Sequence, residues 1–434
     1  MKPGFHFRRT AKAGAIPRWP SLCAGLFLCQ LAGLPGGLFA QPDPCSLAWH
    51  RILPANSPNS PGLLTFEAMA YDSQRHVAVL FGGIADIANS SDTWEWDGAT
   101  WVKRTTGQPS ARATSAMAYD SNRGVCILFG GAADFYQGAT PFNDTWEWNG
   151  STWSLRSGND PAAKDRPPPM NSPMLAYDSA RKRTVLVGPD YNYGGSSYGP
   201  LTQTWEWDGT NWYALAAAPP SRAEATMAYD PVLAVTVLFG GISYNSTNDT
   251  WTWDGTTWTK IAAAVAPPPR SEASMAFDVR RGVMVLFGGE GDDVASEYND
   301  TWEWSGGSWT LDPYSNRFGL IPRRLCHMWY DTGDQKLVVF GGMYGIHNPD
   351  GSFSYTVLDD MWEARPPGFW VDFNYTGQTE TGDYYTPYKT LGAAVNAAPN
   401  GCALNLKTGS DAETLSISKP LQLLPYNGPV TVGH

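Results

Sequence analysis

The sequence predicts an all-β fold: a six-bladed β-propeller closed by an N-terminal strand, followed by a short segment of helix and strand. Three observations predict it. An apolar run ending in Asp recurs six times, at Asp72, Asp120, Asp178, Asp230, Asp278 and Asp331, with spacings of 48, 58, 52, 48 and 53 residues. Phe-Gly-Gly stands nine residues beyond five of these aspartates, starting at Phe81, Phe129, Phe239, Phe287 and Phe340; Val187-Gly188-Pro189 replaces it in the third copy. A Trp-x-Trp-x4-Trp pattern then follows in five copies and accounts for fifteen of the 20 tryptophans. Four short apolar runs per copy at a period near 50 mark a propeller blade.

Composition agrees with this. Charged residues make up 16% of the 434, below the roughly 25% of an average soluble domain. The 45 glycines and 34 prolines make the chain turn-rich. Together these features exclude collagen, coiled coil and disorder.

Residues 1–40 read as a signal peptide. Lys2, Arg8, Arg9, Lys12 and Arg18 form a basic leader without an acid, an apolar stretch runs from Leu22 to Ala40, and Leu38-Phe39-Ala40 suits cleavage. The expected location is therefore secreted, periplasmic or on the cell surface. Beyond the leader no stretch is apolar over the roughly 18 residues of a membrane helix. Losing five positive charges takes the net charge from −11 to −16, which disfavours nucleic acid.

Residues 41–368 form the predicted propeller. In each copy strand a is the run ending in Asp, and strand b is the Val-Leu-Phe run before the glycines. Strand c carries Trp-x-Trp, whose period of two puts both rings on one face. Asp-Gly or Asn-Gly, as at Asp97-Gly98 and Asn149-Gly150, then predicts a two-residue hairpin turn into strand d. The tryptophans are expected to pack between blades, and the Asp before Thr-Trp to bond loop amides. Copy six lacks strand d after Trp362, whereas Leu47 to Leu53 before copy one reads as a strand d. The N-terminal strand is therefore expected to complete blade six and remove both open edges. Cys126, inside an apolar run, reads as a buried thiol.

Phe-Gly-Gly, Asn-Asp-Thr-Trp and the later Trp resemble kelch repeats over roughly residues 45–365. The resemblance implies the propeller fold and leaves function open, because this fold hosts oxidases, isomerases, cyclases and binding modules. Residues 369–434 resemble the helix and first coils of a pectate-lyase-like parallel β-helix, with Leu391, Val395 and Ala398 on one helix face and short alternating runs after Asn400-Gly401.

Candidate ligand residues lie in the loops at one end of the blades. Arg112, Arg222, Arg270 and Arg323 each stand eight residues before the strand-a Asp; Leu64 and Met170 take that register in blades one and three. The resemblance to animal kelch substrate adaptors implies that such arginines ring the mouth and hold carboxylates. Variable b–c loops bring aromatics, among them Tyr136, Tyr193 and Tyr244, together with His347. Rings beside carboxylates suit sugars, so the sequence reading is an exported, non-enzymatic, monomeric module that binds a glycan, including acidic ones, or a protein. A carbohydrate-active enzyme (lyase, isomerase or oxidase) and a structural surface module are the alternatives. No metal-ligand spacing, nucleophile motif or cofactor motif occurs, so neither a cofactor nor a metal is expected.

Overall fold

The computed structural model describes residues 48–432 apart from loop stretches, of which 134–140, 189–203 and 313–319 are the longest. Among the described residues the protein is nearly all β, with six four-stranded antiparallel sheets. Blade one illustrates them: Ala68–Asp72, Val77–Phe81, Thr93–Trp96 and Trp101–Arg104 as strands a to d. The strands a adjoin one another in blade order, and His327–Asp331 of blade six adjoins Ala68–Asp72 of blade one, so the ring closes around an axis.

Closure takes the expected route. Ala48–Leu53 is the outer strand of blade six, pairing antiparallel with Phe353–Arg365 in the register Trp49↔Ala364. The chemistry at the seams shows why this strand fits. The strand-d indole of blades two to five donates to the threonine opening strand c of the preceding blade: Trp153 to Thr93 at 2.8 Å, Trp212 to Thr145 at 2.9 Å, Trp258 to Thr204 at 2.8 Å and Trp309 to Thr250 at 2.9 Å. Trp49 donates to Thr301 of blade five at 3.3 Å, the same bond in the same place. Trp101 has no such partner, because Met361 stands where blade six would need the threonine.

A second set of seam bonds uses the middle residue of Trp-x-Trp. Trp148 donates to Glu95 at 2.9 Å and Trp253 to Glu206 at 3.0 Å, each across a seam. The same glutamates take an arginine from their own a–b turn, as Arg75 to Glu95 at 2.7 Å, and that arginine also bonds the strand-a Asp72 at 2.6 Å. Blade four has Leu233 for the arginine and Thr252 for the glutamate, so acid and base are lost together. The indole of Trp304, which would have used that glutamate, is left without a partner.

The c–d connection departs from the predicted two-residue turn. Trp96 pairs with Trp101, leaving four residues in the loop. The Asp97 carboxylate accepts the amides of Ala99 and Thr100 at 2.9 and 2.8 Å, and Gly98 adopts φ +97°, a left-handed value that favours glycine. Close approach explains the second glycine of Phe-Gly-Gly. A Cβ on Gly241 would stand 2.7 Å from the Ala223 carbonyl oxygen and from the Ala225 Cβ.

The C-terminal residues form a three-stranded parallel sheet, Phe369–Val371, Ala403–Asp411 and Gln422–Val432, with the helix Leu391–Ala397 burying Leu391, Ala394 and Val395. Thr390 caps the helix, its hydroxyl accepting the Ala393 amide at 3.2 Å. Polar side-chain bonds join this sheet to the blades: Arg365 to the Tyr426 hydroxyl at 2.6 Å, Tyr385 to Glu363 at 2.5 Å, and Arg280 to Asn405 at 2.8 Å. They cover the buried Lys336–Glu363 pair, so the tail is bonded to blades five and six rather than simply appended. Cys402 is disulfide-bonded, while Cys126 and Cys326 are buried free thiols.

Trp49 is 1% exposed and packs on Phe287 of blade five. Trp49→Ala is expected to cost about 3–5 kcal/mol by loss of burial, and Trp49→Phe about 1 kcal/mol by loss of the hydrogen bond alone. Urea unfolding curves measure both. A Trp49→Ala protein as stable as the parent would show that the N-terminal strand does not hold the ring.

Candidate functional site

The four loop arginines occupy equivalent places, but the structure commits them inward. Arg112, Arg222, Arg270 and Arg323 are at most 3% exposed. Each guanidinium forks onto the aspartate before strand c of its own blade. Arg112 reaches the two Asp144 oxygens at 2.6 and 2.9 Å, and Arg270 those of Asp300 at 2.6 and 2.9 Å; Arg222 takes Asp249 and Arg323 takes Asp360 in the same way. Nη1 also donates to the first glycine carbonyl of Phe-Gly-Gly, and Nε to the carbonyl two residues before the arginine. Burial works against ionisation of Asp249, yet the Arg222 fork and the Trp251 indole hold its carboxyl down to about 2.

The expected ring of free guanidinium groups is thus corrected. A positive mouth for carboxylates fails because the protein's own aspartates fill the forks. The aspartates are corrected with it: Asp144, Asp249, Asp300 and Asp360 accept arginine and the indoles of Trp146, Trp251, Trp302 and Trp362. The sequence did carry a sign of this pairing. Blade three, which has Met170 for the arginine, also has Gln203 for the aspartate.

Tyr136, Tyr193 and Tyr244 lie outside the described residues. His347 is exposed at the tip of the long strand Lys336–His347, edge-on to Phe353 with ring centroids 5.2 Å apart. Among the described residues no three metal-ligating side chains converge.

A different set of residues meets at the axis. Six non-glycine residues, one per blade, adopt left-handed backbone just before strand a: Phe66, Thr114, Ser172, Glu224, Glu272 and Leu325, with φ between +52° and +60°. Such backbone costs roughly 1–2 kcal/mol per residue and marks a position worth explaining. Backbone bonds link them blade to blade: Thr114 N–H to Phe66 C=O at 2.8 Å, Ser172 to Thr114 at 2.9 Å, Glu272 to Glu224 at 2.8 Å and Leu325 to Glu272 at 3.0 Å. This collar surrounds a cavity of 260 Å³.

The cavity is chemically two-sided. Glu67, Glu224 and Glu272 line it together with His327, and Met69, Met174, Met227, Met275 and Met328 of the strands a form apolar wall. Blades two and three contribute Thr114, Ser115 and Ser172 instead of acids. Arg324 donates to Glu272 at 2.8 Å and to Glu290, and lies 3.8 Å from Glu297. Glu67 is 4% exposed, and neither of its side-chain oxygens has a hydrogen-bond partner. Its closest basic neighbour is His327, with Nε2 at 3.6 Å from Oε1, beyond hydrogen-bonding reach. The Ser115 hydroxyl is likewise buried without a partner.

Titration follows from this geometry. Burial raises the Glu67 carboxyl above its ordinary value of 4.5, against the pull of His327. Burial and then the charge of Glu224 push Glu272 up to about 8, although Arg324 opposes them. Glu224 is raised by burial, with Arg324 again opposing. Burial pushes the Cys326 thiol beside His327 up to about 12, so it is no thiolate nucleophile near neutral pH.

Sequence reasoning passed over Glu67, Glu224, Glu272 and Arg324. Their signal lies in the register. The columns seven, six and five residues before the strand-a Asp, which hold Arg324, Glu224 with Glu272, and Glu67, change type from copy to copy, whereas the Asp itself does not. A column that varies inside a strict repeat is one that faces shared space.

No family model and no curated protein matches the chain. Many solved structures share its fold. One is the structure of YjhT, 16% identical with a TM-score of 0.51, the match covering 70% of this chain and 95% of that one. At that identity the likeness establishes a propeller, with a binding or enzymatic role open, and assigns no ligand.

Two outcomes are expected from this geometry. Arg112→Ala should lower stability by about 3–5 kcal/mol, because it strands the buried Asp144 charge. The pair Arg112→Met with Asp144→Leu should recover most of the loss in urea melts. An Arg112→Ala protein of parental stability would free this arginine for a ligand role.

The second outcome concerns pH. In the unfolded chain Glu272 titrates near 4.5, and in the fold near 8, so the folded state holds the extra proton. Its contribution is fully present below 4.5 and is lost as pH rises through 8. Glu272→Gln should therefore gain on the parent between pH 5 and 8.5, at a slope of at most about 1.4 kcal/mol per pH unit. Parallel stability curves for the two proteins would contradict a buried, proton-holding Glu272.

Proposed function

We propose that the protein is an exported binding propeller that takes the end of a glycan into its axial mouth. Glu67 carries this reading: a carboxyl that lines the cavity, is almost fully buried, and has no hydrogen-bond partner, its one basic neighbour being the His327 ring 3.6 Å away. Buried polar groups without partners are costly, and they persist where a ligand supplies the missing bonds. A sugar's hydroxyls donate to carboxylates such as Glu67, accept from hydroxyls such as Ser115, and its C–H faces suit the methionine wall. The cavity lies just below the usual range of about 300–1,000 Å³ for drug-sized ligands, which fits one terminal residue rather than a long chain. The acidic walls argue against the acidic glycans that the arginine pattern suggested. Export rests on the basic and apolar leader.

A second reading has one observation in its favour. A carboxylic acid held protonated near neutral pH, as Glu272 is, can serve as a general acid, which suits a carbohydrate-active enzyme.

A glycan array probed with residues 41–434, followed by calorimetry on the hits, tests the binding reading. Glu67→Gln and Glu272→Gln should weaken a hit at least tenfold while the protein stays folded. Hits unaffected by both variants would place binding outside the mouth. Conversion of a bound glycan seen by proton NMR, and abolished by Glu272→Gln, would favour the enzyme.

A further inference from the structure

We infer that the group entering the mouth carries a positive charge, and that it is the protonated amine of an amino sugar whose nitrogen is free rather than acylated. The inference rests on the axial mouth being the ligand site and adds the charge of what fills it. Two independent observations support it. The first is the balance of charge on one arc of the collar. Glu224 of blade four and Glu272 of blade five line the cavity, and Arg324 of blade six, the base beside them, is shared between Glu272 and the blade-five Glu290 and Glu297 behind it. Blades two and three place no charge in the cavity lining, only hydroxyls, Pro173 and Met174. The second is the unpartnered Glu67 carboxylate, 4% exposed at the cavity wall.

Arg324 does not cancel the excess. Its guanidinium serves Glu272 and Glu290 at once, lies over the Tyr355 ring at 4.9 Å, and is held on the blade-five side of blade six. His327 leans toward Glu67 without bonding to it. A single added cation between the blade-one and blade-five carboxylates would supply both what Glu67 lacks and what Glu272 and Glu224 share too thinly. An ammonium has three donors for such acceptors. A neutral acetamido group offers one donor and no positive charge to stabilise these carboxyls in their ionised form. Attached to the same carbon, a sugar's hydroxyls reach the Thr114, Ser115 and Ser172 side, and its apolar face lies against the methionines.

Proton linkage follows. Glu272 faces Glu224, Glu290 and Arg324; Glu67 faces His327. Burial raises both carboxyls above the ordinary range, although Arg324 opposes it at Glu272 and His327 opposes it at Glu67. An entering ammonium would ionise them, so binding would release protons and tighten as pH rises from 5 to 6, below the range in which an amino sugar's amine loses its own proton.

The experiment is titration calorimetry of residues 41–434 with a fully deacetylated glucosamine hexamer, its fully N-acetylated counterpart, and cadaverine. It is run in two buffers of different ionisation heat and at two salt concentrations. The deacetylated hexamer should bind at least tenfold more tightly than the acetylated one, with proton release and weakening in salt. Glu67→Gln and Glu272→Gln should each cut the proton release, and their melting curves report whether they fold. Equal or tighter binding of the acetylated hexamer, or binding of the deacetylated one without proton release, overturns the inference while leaving a glycan-binding mouth. Cadaverine bound as tightly as the hexamer overturns the sugar and keeps the amine. Binding of none of the three overturns the inference, and a blank glycan array besides would remove the glycan reading itself.

Discussion

Everything in this ring depends on an indole N–H that crosses from one blade to the next. Packing alone would let neighbouring sheets slide, because apolar contact is non-directional. A hydrogen bond from a buried tryptophan to one threonine fixes the distance, angle and register of the seam. It repeats at five seams, and the N-terminal strand supplies the fifth through Trp49. The Glu95-type acceptors add a second fixed point, and through Arg75 and its equivalents they tie the seam to the strand-a aspartate near the axis. Outer and inner parts of a blade are thus positioned by one continuous polar network, which is what places the strand-a termini accurately around the mouth.

The fold was legible because each of these bonds needs a particular residue at a fixed spacing. Asp72, Arg75, Phe81, Glu95 and Trp101 each recur in register, and a strict period of chemistry is easier to read than a period of hydrophobicity. The orphaned indoles make the same point from the other side. Trp101 and Trp304 lack partners where Met361 and Thr252 break the pattern, a break visible in the sequence once the bond is known; Trp96 lacks one where Glu363 is in place but is held by Lys336, Arg365 and Tyr385. The c–d loop was harder, since Asp-Gly signals a tight turn in isolation. Here the Asp97 side chain closes a longer loop that the opposed Trp96 and Trp101 demand.

The site was legible only in part, and for a physical reason. Arginines recurring near a propeller mouth look like ligand residues when their partners are unseen. Asp144 lies 32 residues beyond Arg112, and only the folded blade shows that the two meet as a buried fork. Regularity was the misleading feature. A residue present in most blades at one register serves the blade, since every blade has the same internal needs. The residues that serve the shared space are those that differ between blades, and Glu67, Glu224, Glu272 and Arg324 occur once or twice each in their columns.

That distinction also explains why the mouth tolerates what it does. The collar residues hold left-handed backbone whatever their side chain, including Phe66 and Leu325, because blade-to-blade backbone bonds fix them. With the main chain fixed by the ring, the collar does not require one side-chain type at these six positions. They can be acidic on one arc and hydroxylic on the other without weakening a seam. The buried carboxylates still carry a desolvation cost that the ring must absorb. A scaffold whose stability lies in its repeats can therefore keep unpaired acids at its centre, where the departures from the repeat define one side for charge and one for hydroxyls.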